Sequence, residues 1–204
     1  MSKETKILED WPIGEFVVGL DEVGRGCGAG PVVTAAVIMP RGFKSSLIRD
    51  SKLLSDKQKS EAYKIITENA ISISCNAGSV YDINNIGINP TTFKTMHKCL
   101  DDLSQKPDYI LVDGLAWEDY KGTNGNNNNL TLIPKGDDTY TCIAAAAIVA
   151  KVKRDEYMTK LHESFPFYNW ISNKGYLTPD HISALKEHGS TKYHRIMFVK
   201  NHLK

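Results

Sequence analysis

At 204 residues, with 41% apolar and 24% charged side chains, the chain suits one globular domain, or one with a small appendage, and it is neither fibrous nor disordered in composition. A formal charge of +1 excludes a uniformly basic nucleic-acid coat, and no apolar run is long enough to span a bilayer. Met1-Ser2-Lys3-Glu4-Thr5-Lys6 lacks a signal-peptide stretch, so a cytoplasmic protein with no membrane association is expected.

In chain order, residues 1–14 are largely polar, with Trp11-Pro12 anchoring the lead-in to a first strand. That strand, Phe16-Val17-Val18-Gly19-Leu20, ends in two adjacent carboxylates, Asp21 and Glu22, followed by Gly24-Arg25-Gly26. Acids at the end of a core strand cost free energy unless paired, solvated or bound to a cation, so a metal is the first hypothesis. Solvated acids before a glycine turn are the alternative. Neighbours on a regular strand point to opposite faces, so the strand is expected to end or twist between Asp21 and Glu22, as Gly24 permits.

Residues 32–38 form a β-branched second strand, joined to the first by a glycine-rich turn. Gly24-x-Gly26-x-x-Ala29 matches a dinucleotide-binding fingerprint in letters, but Pro31 and the strand deny it the helix that motif requires. Ser55-Asp56-Lys57-Gln58 reads as a capping box opening a helix to about residue 69, with Ala62, Ile65 and Ile66 inward. Residues 71–77 alternate as a strand with one buried face. Asn89-Pro90 then reads as the cap and first position of a helix with Phe93, Met96, His97, Leu100 and Leu103 on one side, His97 being a core or boundary residue rather than a ligand.

Tyr109-Ile110-Leu111-Val112-Asp113 repeats the opening logic of an apolar strand ending in an acid, and two such ends could converge at one sheet edge. Asn124 to Asn129 is a low-complexity loop, and Leu130 to Ile133 returns to a strand. Residues 139–163 read as a long helix whose alanines allow close packing on the sheet, and Thr178-Pro179 opens a last clear helix ended by Gly189. Cys27, Cys75, Cys99 and Cys142 form no Cys-x-x-Cys pair, which speaks against a zinc knuckle or a disulfide framework. Basic residues gather as Lys44, Arg49, Lys52, Lys57 and Lys59, as Lys151, Lys153 and Arg154, and as Lys186, Lys192 and Arg195. Each group could neutralise phosphates or simply form a solvated face.

Asp21-Glu22-Val23-Gly24-Arg25-Gly26, Gly30-Pro31-Val32-Val33, Asp50-Ser51-Lys52-Leu53-Leu54, Val112-Asp113-Gly114, Lys135-Gly136-Asp137, the run from Ile143 to Asp155, Gly175-Tyr176 and His194-Arg195 with Phe198 closely resemble, in order, the ribonuclease HII (type 2 ribonuclease H) family. The resemblance implies an α/β fold with a ribonuclease H-like central mixed sheet flanked by helices. It divides the chain into a catalytic domain over 1–163 and a helical extension over 164–204 packing beside the active site. It implies an endonuclease that hydrolyses the phosphodiester 5′ to a ribonucleotide, in RNA/DNA hybrids or in DNA duplexes containing single ribonucleotides, leaving 3′-hydroxyl and 5′-phosphate ends. Asp21, Glu22, Asp113 and Asp137 would be the catalytic acids, holding two divalent ions, Mg²⁺ or Mn²⁺. Gly24, Arg25, Gly26, Lys52 and Tyr176 would bind substrate, and the protein would work as a monomer. Asp155, also with a family counterpart, is read as a structural partner of Arg154. Where the family commonly carries serine this chain has Cys142 and Ala147, which removes a hydroxyl there and leaves the acids untouched.

Other classes fit less well. A non-catalytic nucleic-acid-binding relative would be expected to have lost an acid, and all four are present. A serine hydrolase would need a Gly-x-Ser-x-Gly elbow, which does not occur.

Overall fold

A computed structural model describes residues 7–120 and 129–203. The chain builds β1 (Val17–Val23), β2 (Val32–Ile38), α1 (Asp56–Asn69), β3 (Ser72–Gly78), α2 (Val80–Ile86), α3 (Ile88–Asp101), β4 (Tyr109–Asp113), β5 (Asn129–Ile133), α4 (Thr141–Ser164), α5 (Trp170–Asn173), α6 (Pro179–His188) and α7 (Ile196–Val199). The strands form one mixed sheet in the order β3-β2-β1-β4-β5, antiparallel across β3, β2 and β1 and parallel across β1, β4 and β5. A mixed central sheet flanked by helices is what the family resemblance implies. The asparagine run up to Asn128 lies outside the described residues, and Asn129 opens β5.

Because β1 is central, both of its faces are covered. Val18 and Leu20 join Ala36, Ile38, Ile110 and Val112 under Met96, Cys99 and Leu100 of α3 and Leu103 just past its end. On the other face α4 runs across the sheet with residues 141–150 all buried, as expected of a helix apolar on every side. The alanines bring its backbone close, and Gly19 completes the approach: a Cβ there would lie 2.2 Å from the carbonyl carbon of Cys142. Ala144, Ala145, Ala146, Ile148, Val149 and Ala150 then fill the space between β2 and Ala62 and Ile66 of α1. Among the described residues no helix is long and apolar enough to cross a membrane.

Local signals mostly govern the helix ends. Ser55 and Gln58 cap each other reciprocally, and Thr178 accepts from the His181 amide with Pro179 in the first turn. The start of α3 departs from expectation. Gly87, at φ +91°, is its cap, and Pro90 is the third residue, where its missing N–H would have had no intrahelical partner anyway. Asn89 is thereby released from capping.

The alternation in β3 also resolves in an unexpected sense, since the most buried side chains are Ser72 and Ser74 rather than Ile73 and Cys75. They face the threonine-rich side of α3, where polar groups find partners: Ser72 Oγ lies 3.0 Å from Ser104 Oγ, and Thr34 Oγ1 lies 3.2 Å from Cys99 Sγ. A third apolar cluster joins Ala29 and Met158 to Tyr168, Trp170, Ala184, Leu185 and Val199, so the C-terminal helices share a core with the loop after β1.

Candidate active site

Of the two expectations for β1, that it ends or that it twists between its acids, the first does not hold. The antiparallel ladder continues to Val23↔Val33, whereas the parallel ladder with β4 stops at Leu20↔Val112. Asp21 and Glu22 therefore lie within the strand but beyond the last pair with β4. The next step of that register sets Asp21 level with Asp113, whose Oδ1 accepts from the Gly136 amide at 2.8 Å. That bond ties the end of β4 to the turn Gly136–Asp138 at the head of α4, which delivers Asp137. Asp137 is buried and Asp138 exposed.

The acids are close enough to disturb one another. Burial first, then Asp113 and Glu22, hold the Asp21 carboxyl well above its ordinary range. Burial also raises Glu22, against the lowering effect of Arg25, and raises Asp113 against the Gly136 amide. Burial pulls the Lys52 ammonium down, but Asp137, Asp50 and Asp21 outweigh it and leave it raised. Its Nζ lies 3.6 Å from Asp137 and 3.8 Å from Asp50 while the side chain remains 79% exposed. No three His, Cys, Asp or Glu side chains among the described residues converge as a closed set of ligands on one ion. The donor set is nonetheless oxygen-only and like-charged, gathered from three segments, and suits a hard divalent cation that needs few carboxylates and keeps its waters.

The glycine loop is held by side chains that the sequence reading assigned elsewhere. Arg154 and Arg195, which in sequence read as either phosphate-neutralising or merely solvated bases, are both 0% exposed. Arg154 donates to the carbonyls of Pro31, Lys174 and Ala29 at 3.0, 2.7 and 3.1 Å. Arg195 donates to those of Gly30 and Arg25, both at 2.9 Å. Burial lowers Arg195 to about 10, so it stays charged at neutral pH, solvated by backbone dipoles. Asp155 does not pair with Arg154; it accepts from Lys151 at 2.8 Å, one helical turn away. Nothing in the sequence signals carbonyl acceptors, because every residue has one.

Through these bonds the loop is joined to the C-terminal segment. Gly28 and Ala29 amides donate to the Gly175 carbonyl at 2.9 and 3.2 Å, and a Cβ on Gly175 would lie 2.5 Å from Ala29 O. Tyr176, 47% exposed, follows directly, and burial raises its phenol with the Cys27 thiol beside it. The Arg25 side chain spans Glu22 Oε1 at 3.2 Å and Asn89 Oδ1 at 2.7 Å, which is the use to which the released Asn89 is put. Gly24, Arg25 and Gly26 thus lie in the loop that these bonds tie to Gly175, next to Tyr176.

A model of the ribonuclease HII family matches residues 18–203. The chain is 44% identical over 180 residues to a ribonuclease HII of Bacteroides thetaiotaomicron, covering 88% of each, and 43% identical over 193 residues to one of Bacteroides fragilis, covering 94% of each. Among solved structures, the ribonuclease H2 of Pyrococcus horikoshii OT3 superposes with a TM-score of 0.75 at 23% identity, over 91% of this chain and 96% of that one, a likeness of fold.

Proposed function

Because the chain belongs to the ribonuclease HII family, and hydrolytic ribonuclease H activity on RNA/DNA substrates follows from that membership, we propose that it cleaves 5′ to a ribonucleotide within RNA/DNA hybrids and within DNA duplexes holding single ribonucleotides. The observation that carries this reading is one juxtaposition: Asp21, just past the last β1–β4 pair, stands level with Asp113 at the end of β4, and the loop that leaves β1 is bonded to Gly175, the residue before Tyr176. Phosphodiester hydrolysis needs charge compensation at the acids, and recognition of RNA needs a group that senses the 2′-hydroxyl. The loop after β1, running from the acids to the segment that carries Tyr176, supports both.

In this reading Asp21, Glu22, Asp113 and Asp137 hold two Mg²⁺ or Mn²⁺ ions. Such ions supply an activated water and stabilise the leaving 3′-oxygen, leaving 3′-hydroxyl and 5′-phosphate ends. The protein's own groups bind and orient. Gly24 and Gly26 let backbone groups approach the sugar, and the Tyr176 hydroxyl bonds the 2′-oxygen while its ring packs on the adjoining deoxyribose. Lys52, with its ammonium mostly exposed beside Asp137, meets a phosphate. Residues 1–163 act as the catalytic domain and 164–204 as an extension beside it, and the protein works as a cytoplasmic monomer.

End-labelled duplexes with one ribonucleotide, or with a full RNA strand on DNA, incubated with magnesium, manganese or chelator, test the reading. Metal-dependent cuts 5′ to the ribonucleotide are expected; a cut that persists in chelator would sink it. Tyr176→Phe should slow single-turnover cleavage at a lone ribonucleotide by roughly three- to tenfold, the worth of one neutral hydrogen bond, with duplex affinity little changed. Tyr176→Ala should be slower still.

Adjacent acids at the head of α4 allow a sharper check. Asp137 is buried in the acid cluster and Asp138 is exposed, so Asp137→Asn should remove nearly all turnover and Asp138→Asn only a small part. The reverse order, read from initial rates on the same duplex, would place the site one residue later.

A further inference from the structure

His181 of α6 and His194 are 0% exposed and packed against Tyr168 and Trp170. Backbone and indole donors settle where their protons sit. The Thr191 amide, which can only donate, points at His194 Nδ1 from 2.9 Å, with the Thr191 hydroxyl at 3.1 Å, so that nitrogen accepts and the ring proton is on Nε2. His194 Nε2 faces His181 Nε2 at 3.1 Å. The same His181 nitrogen receives the Trp170 indole N–H at 3.2 Å, so it too accepts, and His181 carries its proton on Nδ1. That proton is directed at the carbonyl of Tyr176, 2.9 Å away.

We propose that His194 and His181 are positioning residues for Tyr176, a relay in which each tautomer is fixed by a donor that cannot reverse. The proposal rests on the reading of Tyr176 as the contact to the ribonucleotide. The relay runs only if both rings are neutral. Burial lowers both, His194 to about 4 with the facing His181 adding to the effect. Among the described residues the hydrogen bonds and ring contacts of these two imidazoles involve no carboxylate, lysine or arginine. Asn84 of α2 clamps the segment from outside, donating to His194 O at 3.2 Å and accepting from the Ile196 amide at 2.9 Å. The carbonyl of Tyr176 is thus held by the His181 ring and the Thr178 amide, and His181 in turn by Trp170 and His194, which restrains the backbone from which the Tyr176 side chain projects.

Two measurements test this. Nitrogen-15 spectra of histidine-labelled wild-type protein should show His194 as the Nε2–H tautomer and His181 as the Nδ1–H tautomer, both neutral at pH 6; either opposite tautomer, or a charged ring at that pH, would overturn the relay. Second, His181→Leu should slow single-turnover cleavage at a lone ribonucleotide by roughly tenfold without weakening duplex binding. His181→Asn, whose amide can replace the Nδ1 donor, should recover most of the rate, and the loss from His181→Leu should shrink when Tyr176→Phe is already present. A purely structural role predicts neither the recovery nor the shrinkage. Slow Tyr176→Phe beside wild-type His181→Leu would overturn the relay alone. Unchanged cleavage in Tyr176→Phe would overturn the relay together with the reading on which it rests.

Discussion

Asp113→Asn, and likewise Asp21→Asn, should lower cleavage by more than about a hundredfold while leaving a folded and, without metal, more stable protein. Outer partners of a metal site typically cost about 10–100-fold when removed, so a carboxylate that itself holds the cation should cost more. The gain in stability has its own cause. Asp21 is 6% exposed and is pushed up by burial, by Asp113 and by Glu22, so its ionised form is disfavoured in the folded chain. A carboxyl whose folded pKa lies above its unfolded value stabilises most at low pH, and that contribution is lost as pH rises through the folded pKa. The metal-free wild type should therefore lose stability from the Asp21 carboxyl as pH rises above the ordinary aspartate range, and Asp21→Asn should flatten that trend. Thermal melts in chelator between about pH 4 and 8 read both effects, the range bracketing the usual carboxylate pKa. Equal melting temperatures for wild type and Asp21→Asn throughout would mean that the acids do not repel one another as placed.

Gly24 and Gly26 should separate recognition from folding. Gly24 sits at φ +94°, and a Cβ there would lie 2.1 Å from Nε of Arg154. Gly24→Ala must shift that buried guanidinium off its carbonyls as well as strain the backbone, at a cost of about 3 kcal/mol or more. Gly26 has nothing within 4 Å of its would-be Cβ. Gly26→Ala should therefore melt within a degree or so of wild type, in the range of neutral surface changes, yet lose most cleavage at a single ribonucleotide if, as proposed, the sugar approaches the space the methyl group would fill. Retained cleavage in Gly26→Ala would remove this glycine from the substrate path. Equal melting of the two variants would mean that Arg154 does not pack beneath Gly24.

Much of the molecule is determined by local sequence. The apolar runs of β1, β2 and β4, the Ser55 and Thr178 caps and the buried alanines of α4 each follow from periodicity, capping chemistry or side-chain size. The family resemblance rests on motifs in the same class, since short runs with fixed spacing survive in one dimension. What only the tertiary structure decides is where groups with more than one possible partner go. Arg154 and Arg195 look like surface bases until the loop carbonyls of Arg25, Ala29, Gly30 and Pro31 are folded over them. Asn89 reads as a cap until Gly87 takes that place and leaves it to Arg25. Asp21 and Glu22 stay in one strand because the ladder with β2 outlasts the ladder with β4, a difference in length between partners that neither strand carries by itself. Local propensity depends on a residue's immediate neighbours. A hydrogen bond between Arg195 and Gly30, 165 positions apart, depends on how the whole chain closes.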